Sequence, residues 1–172
     1  MKVNNAIRGR NGRLFFSLGA IATLAILTAG IFHHQQSKAH HRQAEVAKKG
    51  AQVMPFDLEK TTHRFEPKAN GGLQTVVADN PTDRSQIALI QSHLQTEATK
   101  FEAGDFSDPA AIHGHTMPGL AGLESNYQSI DIQYAALADG GQIRYVTDNA
   151  DSVSALHAWF NAQRRDHGHH AE

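Results

Sequence analysis

Cysteine is missing from all 172 residues, so the chain can form neither a disulfide nor a thiolate metal site. Neither sign of charge dominates, because 16 lysines and arginines stand against 17 aspartates and glutamates. This balance excludes the strong basic field that nucleic-acid binding requires, and we expect no nucleic-acid partner. The nucleophile motif GxSxG, the P-loop and the dinucleotide motif GxGxxG are also absent, so the sequence identifies no catalytic residue.

Histidine is over-represented, with 12 copies. Seven of them lie in the polar flanks of the chain, namely His33, His34, His40, His41, His167, His169 and His170. Histidine-rich flanks bind metal weakly, but such bias is also common in solvated spacers. We interpret the flanks as spacers and look for a site among the other five histidines.

An uncharged apolar stretch follows a basic N-terminus. Residues 1–13 contain four lysines and arginines, and residues 14–32 contain no charged residue. A helix of about 20 apolar residues crosses a bilayer, so residues 14–32 predict a single-pass signal anchor whose partner is the lipid bilayer. The basic N-terminus favours a cytoplasmic start and a domain in the periplasm, held at the inner membrane. The alternative is a secreted domain, released by cleavage at Ser37-Lys38-Ala39.

The rest of the chain divides by composition. Residues 33–53 are rich in His, Gln, Ala and Lys without a sustained apolar face, which predicts a linker. Residues 54–168 have the alternating and helical patterns of one extracytoplasmic domain, and residues 169–172 form a short tail.

Two hairpins, each followed by a helix, are predicted in the domain. Strands are expected over residues 61–65, 73–78, 130–134 and 142–147. The turn sequences between them are Asn70-Gly71-Gly72 and Asp139-Gly140-Gly141.

Each predicted helix begins after a capping residue and presents one apolar face. The caps are Thr82 or Asp83 for the first helix and Asn149 or Asp151 for the second. Gly104 fits the end of the first helix. The apolar faces comprise Ile87, Ile90, Leu94, Ala98 and Phe101 in the first helix, and Val153, Leu156 and Phe160 in the second.

The two halves align without a gap at a constant offset. Residues 69–90 and 138–159 share seven identities in 22 positions. Common turn chemistry explains some of them, but it does not explain the constant spacing from turn to helix. We therefore predict an α+β fold with an internal duplication, ββα-ββα. It has a four-stranded antiparallel sheet and both helices on one face.

The segment that joins the halves, residues 105–123, holds the densest set of possible metal ligands outside the flanks. Within it, the glycines and proline of residues 112–119 predict a loop that could direct His113, His115 and Met117 at one point. The alternative to a ligand-bearing loop is an ordinary surface loop in which Asp108-Pro109 begins a short helical turn. Imidazoles with a thioether suit copper, particularly Cu(I), and zinc is the second choice.

Three more histidines lie in or beside predicted elements. The alignment places His63 opposite Ile132, so it should face the helices, either as a hydrogen-bonded core residue or as a ligand. His93 lies one turn before Glu97, which could orient it for a metal or form an ordinary i,i+4 contact. His157 lies beside the apolar face of the last helix.

A family resemblance covers residues 54–168. The segments MPFDLEKTTHRFEP, DFSDPAAIHG, MPGL and LHAWFNAQRRDHG resemble those of small bacterial membrane-anchored proteins of unsettled function. Members of this family are sometimes called aspartate carbamoyltransferase, and the resemblance implies that activity as an alternative. The transferase motifs Ser-Thr-Arg-Thr and His-Pro-x-Gln have no counterpart in this sequence, which disfavours it.

The sequence thus favours a membrane-anchored periplasmic binding module that holds copper. We expect His63, His93, His113 and Met117 as ligands, with His115 and His157 in reserve. A metal-free structural domain that binds another envelope protein is one alternative. An enzyme, including a carbamoyltransferase, is the other.

Overall fold

The computed structural model describes the backbone of residues 18–171 and the side chains of residues 33–171. The predicted basic N-terminus, residues 1–13, lies outside the described residues. The predicted anchor, residues 14–32, lies outside the described side chains. Among the residues that are described, no helix is long and apolar enough to cross a membrane.

The described chain forms five α-helices, four strands and three short 3-10 helices. The α-helices are α1 (Leu18–Val53), α2 (Arg84–Glu102), α3 (Ser107–His113), α4 (Leu120–Asn126) and α5 (Ala150–His167). The strands are β1 (Thr61–Lys68), β2 (Gly71–Ala78), β3 (Asp131–Leu137) and β4 (Gly140–Val146). The 3-10 helices are η1 (Leu58–Lys60), η2 (Tyr127–Ser129) and η3 (Gly168–His170).

The sheet is four-stranded and antiparallel, in the order β1-β2-β4-β3, which confirms the predicted sheet and α+β class. Its registers follow the predicted offset. Thr62 pairs with Val77 in the first hairpin, and the equivalent pair in the second hairpin, 69 residues later, is Asp131 with Val146. Between the hairpins, Gly71 pairs with Val146. An offset of 69 residues maps the β1–β2 ladder onto the β3–β4 ladder and the β2–β4 ladder onto itself. The two hairpins are therefore related by an approximate two-fold axis between β2 and β4.

The two helices that follow the hairpins, α2 and α5, each pack mainly against the other hairpin. α2 follows the first hairpin but packs mainly on β4 and β3, and α5 follows the second hairpin but packs on β1 and β2. The predicted caps are confirmed, since Asp83 accepts a hydrogen bond from the Gln86 N–H and Asn149 accepts from the N–H groups of Asp151 and Ser152. Each half therefore supplies the helix that covers the other half's strands.

The loop predicted over residues 112–119 is present at residues 114–119, between α3 and α4, but Ile112 and His113 belong to α3. The helical turn beginning at Asp108-Pro109, which was the alternative, is part of α3. Pro109 is the third residue of α3, where the backbone N–H would have no intrahelical acceptor, so proline does not interrupt the helix. Burial of Ala110 and Ile112 against the core stabilises this short helix. His113 is its last residue, held by a helix rather than by a loop.

Gly119 joins the two short helices and lies against α5. Its φ is +85°, and an added Cβ would lie 2.2 Å from the Ala155 carbonyl oxygen and 2.7 Å from the Trp159 nitrogen. Only glycine fits both this left-handed conformation and this backbone contact. The contact fixes the connector against the part of α5 that carries Trp159.

The domain begins earlier in the chain than predicted. Its structural unit starts at Lys38, within α1, rather than at residue 54. Val46 is 1% exposed in the hydrophobic core, and the Arg42 side chain pairs with Asp166 of α5. Residues 38–53, which were expected to be a linker, therefore form part of the domain. At the other end of the chain, Ala171 makes a parallel β-bridge to His63.

Candidate functional site

A small cavity of about 50 Å³ lies between the sheet and helices α2, α3 and α5. A water occupies about 10–15 Å³ on this scale, so the cavity has room for an ion with its remaining water ligands or for a very small molecule. Every element that surrounds it contributes a polar side chain. These are His63 and Gln74 from the sheet, His93 and Glu97 from α2, Asp108 and His113 from α3, and Gln163 and His167 from α5.

One wall is built around His113. Its side chain is buried, and its Nδ1 lies 2.8 Å from Asp166 Oδ2. Arg42 donates to the same carboxylate from Nε, at 3.2 Å, and from Nη2, at 2.5 Å, and it also donates to the His113 carbonyl at 2.7 Å. Because Asp166 accepts from Nδ1–H, the neutral form of this ring has its lone pair on Nε2. Asp166 is held ionised, since hydrogen bonds from His113 and Arg42 outweigh burial and lower its pKa to about 2.

His167 lies between His113 and His63. Its ring centre is 4.8 Å from that of His63 and 5.3 Å from that of His113. Burial lowers the pKa of His63 to about 3 and lowers the pKa of His167 well below its ordinary value, in each case helped by the neighbouring imidazoles. Both rings are therefore neutral at pH 7, with a nitrogen lone pair free of a proton.

The opposite wall carries carboxyl groups. Burial, together with the neighbouring Asp108, which accepts the hydrogen bond of the protonated form, raises the pKa of Glu97 to about 8. Asp108 remains ionised because Lys100 donates to it at 2.5 Å. His93 lies on the same side, half-buried, and burial lowers its pKa to about 4. A neutral acid and an ionised one thus lie side by side at neutral pH.

Four buried polar atoms around the cavity have no hydrogen-bond partner in the described structure. They are His63 Nε2, Glu97 Oε1, Trp159 Nε1 and Gln163 Oε1. Glu97 Oε1 has the Lys100 ammonium at 3.4 Å, which is an ion pair without hydrogen-bond geometry, whereas the other three have no such neighbour. An unpaired buried polar atom costs about 1–3 kcal/mol, and the residues that carry these four atoms all line the cavity.

The structure brings together three of the six predicted site residues. His63, His93 and His113 all line the cavity. Met117 is buried in the hydrophobic core outside the cavity lining, and His115 is exposed. His157 Nε2 lies within hydrogen-bond distance of the carbonyls of Lys68 and Gly71, so it closes the first hairpin against α5.

Six polar residues of this site were not predicted from the sequence: Gln74, Asp108, Gln163 and His167 in the lining, and Asp166 and Arg42 behind His113. His167 was counted with the flanks, and Asp166 and Gln163 were not considered. A signal was present, because Trp159, Gln163 and His167 follow one another at four-residue steps and extend the apolar face of α5. Arg42 gave no such signal, since it lies in a polar segment that was interpreted as a linker.

The cavity carries no fixed cation of its own. Among the described residues, no arginine or lysine lines it, so it offers no partner for a dianionic phosphate such as carbamoyl phosphate. The nitrogens of His63, His113 and His167 do not form a set within 4.8 Å of one another. Among described residues that spacing is met by Glu59, His169 and His170.

Comparisons with known proteins identify no relative: no protein-family model, no curated protein and no solved structure matches the chain. The resemblance to a family of membrane-anchored proteins stays a prediction.

Proposed function

We propose that this chain is a membrane-anchored periplasmic binding module whose buried cavity holds one metal ion, copper in the first place and zinc in the second, through His63, His113 and His167. The anchor is the apolar segment at residues 14–32, inserted in the inner membrane. The observation that carries the proposal is the convergence of these three imidazoles, from β1, α3 and α5, on one cavity.

The spacing of the rings supports a metal. In a tetrahedral site with metal–nitrogen bonds of about 2.0–2.1 Å, the centres of two imidazole ligands lie roughly 5 Å apart. The ring centre of His167 lies 4.8 Å from that of His63 and 5.3 Å from that of His113, and the His63 and His167 rings are stacked with 26° between their planes. Because the nitrogens do not lie within 4.8 Å of one another, coordination requires the rings to turn about their side-chain bonds. Because metal ligands must be unprotonated, the lowered pKa values of His63 and His167 support the same assignment.

The position of Met117 changes the preferred oxidation state. With the thioether outside the cavity lining, the ligand set consists of imidazoles alone, which suit Cu(II) and Zn(II) as well as Cu(I). Cu(II) binds nitrogen ligands more tightly than the other divalent ions of the first transition row. The pairing of His113 with Asp166 has the form of the outer contacts that orient metal-binding histidines.

The test is equilibrium titration of the full chain, purified in a mild detergent, with Cu(II). We expect the bound copper to include one tightly held ion in the buried cavity, with nitrogen ligands in its electron paramagnetic resonance spectrum, and a rise in melting temperature on binding. His63→Ala with His113→Ala should abolish this tight equivalent, whereas the exposed His115→Ala should retain it. A folded double variant with unchanged copper binding would rule out the assignment.

A second candidate is a general acid–base enzyme, and one observation favours it. The cavity combines a neutral acid, Glu97, with an imidazole, His113, that a carboxylate holds in one tautomer. Titratable groups whose pKa values are pushed apart in one cavity are typical of such enzymes. Turnover of small-molecule substrates by the metal-free protein, abolished by Glu97→Gln, would favour this function over the first.

A further inference from the structure

A second group of metal-type ligands lies on the surface near the inner cavity. Glu59 of η1 and His169 and His170 of η3 each offer one ligand atom, and these atoms lie within 4.8 Å of one another. His170 Nε2 is 3.3 Å from Glu59 Oε1. Two imidazoles with one carboxylate are a common ligand set for zinc and are also suitable for Cu(II).

The histidines of this group belong to a fixed part of the chain rather than to a free tail. The N–H of Gly168 bonds to the Arg164 carbonyl, and Ala171 pairs with His63 at the edge of the sheet. Gln43 of α1 donates to the Arg165 carbonyl at 3.1 Å. The outer histidines are therefore held between α5 and the same strand that carries His63.

An open groove of about 570 Å³ adjoins this group. Its lining includes Glu59, His169 and His170 together with Asp166, His167 and His40 of α1. His167 lines both the groove and the inner cavity. One imidazole thus has access to both compartments.

We propose that Glu59, His169 and His170 form a solvent-facing capture site for a divalent metal ion, which His167 then passes to the inner cavity. This inference rests on the proposed function for its second step, and the capture site stands independently of it. Transfer is an exchange of ligands, in which a carboxylate oxygen and imidazole nitrogens leave the ion as His167, His63 and His113 replace them. The ion keeps its charge, so no oxidant or reductant is needed.

The chain contains a built-in reporter for the second step. Its single tryptophan, Trp159, lines the inner cavity and not the groove. Cu(II) quenches tryptophan fluorescence at short range, so stopped-flow mixing of the full chain with Cu(II) follows filling of the inner cavity. Electron paramagnetic resonance counts the bound ions. His33, His34 and His41 are replaced by Gln in every chain, to remove weak binding along α1.

In this background we expect two bound ions and rapid quenching. Glu59→Gln with His169→Ala and His170→Ala should lose one ion and slow the quenching at least tenfold, with its final extent unchanged. Glu66→Gln with His115→Ala, an exposed carboxylate and an exposed imidazole elsewhere, should behave as the parent. His113→Ala should lose the quenching and keep the outer ion.

The outcomes separate the two proposals. If the outer triple variant still binds two ions, the capture site is overturned; if it loses one ion but fills at the parental rate, the transfer step is overturned. If the parent binds one ion without quenching and the triple variant binds none, the capture site stands and the inner metal site fails.

Discussion

Asp166 Oδ2 lies 2.8 Å from His113 Nδ1, and the same oxygen accepts hydrogen bonds from Arg42. Three elements that are distant in sequence, α1, α3 and α5, thus meet at one carboxylate. The contact fixes the tautomer of His113 and ties the α1 helix to the wall of the cavity. The negative charge of the Asp166 carboxylate is balanced by Arg42, so burial does not cause this carboxylate to take up a proton.

Asp166→Asn should destabilise the domain by about 2 kcal/mol at pH 7. The pKa of Asp166 falls from 3.8 to about 2 on folding, and about 1.4 kcal/mol accompanies each unit. Its side chain is 13% exposed, so solvent screening removes little of this effect. Urea denaturation measures the difference. Asp131→Asn, at an exposed carboxylate that accepts from Gln133, is the matched control and should change stability by less than about 0.5 kcal/mol.

Glu97→Gln should make the domain more resistant to high pH. The pKa of Glu97 rises from 4.5 to about 8 on folding, so the folded state retains a proton that the unfolded chain releases. The resulting stability is fully present below pH 4.5 and is lost as the pH rises through 8. Lys100, Asp108 and His93 lie beside this carboxyl group, and its negative charge contributes to the raised pKa of Tyr145. The variant keeps all four of these residues.

Melting temperatures from pH 5 to pH 9 test this expectation. The unmodified protein should lose on the order of 3 kcal/mol relative to the Gln variant across that range. Glu102→Gln, at an exposed position near the end of the same helix, should give the profile of the unmodified protein. Parallel profiles for the Glu97 variant and the parent would show that Glu97 is ionised throughout.

Gly119→Ala should be far more damaging than Gly114→Ala. Both glycines have positive φ, +85° and +88°, so alanine is strained at each. At Gly114 an added Cβ meets nothing within 4 Å, whereas at Gly119 it meets the α5 backbone at 2.2 Å. We expect losses of about 2 kcal/mol at Gly114 and more than about 4 kcal/mol at Gly119 by chemical denaturation. Equal losses would mean that the connector moves away from α5 without cost.

Gln163→Met should stabilise the unoccupied domain by about 1 kcal/mol, since it removes a buried carbonyl oxygen that makes no hydrogen bond. Gln91→Met provides the contrast, because Gln91 Nε2 donates to the Leu137 carbonyl at 2.9 Å. That variant should lose about 1 kcal/mol. Thermal melts of both variants check the pair, and destabilisation by Gln163→Met would show that the oxygen is satisfied in solution.

The hairpins and long helices could be predicted because their signals are local. Glycine pairs mark both turns, and the apolar periodicity of α2 begins directly after Asp83. The joining segment could be predicted only in part. Glycine and proline predict its loop at residues 114–119, but the full length of α3 was not predicted, because Pro109 is harmless only in the first turn of a helix.

The cavity was predictable only where a local sequence pattern determines the direction of a side chain. The inward direction of His63 follows from strand alternation, and the structure confirms it, at 3% exposure. His167 and Arg42 were missed because their roles depend on which segments the tertiary fold brings to α3. A polar helix such as the last part of α1 has no intrinsic pattern that shows whether it is solvated or packed.

The helices α2 and α5 each pack mainly on strands of the opposite hairpin. A fragment containing β1, β2 and α2 alone would therefore leave most of its apolar sheet face exposed to solvent. Two such fragments could satisfy each other by reciprocal exchange around the axis between β2 and β4. A gene half this length would thus encode a subunit that folds as a symmetric pair, and joining two copies end to end frees each to diverge. The histidine cavity, which draws on β1, α2, α3 and α5 together, is an asymmetric feature of the kind that such a fusion permits.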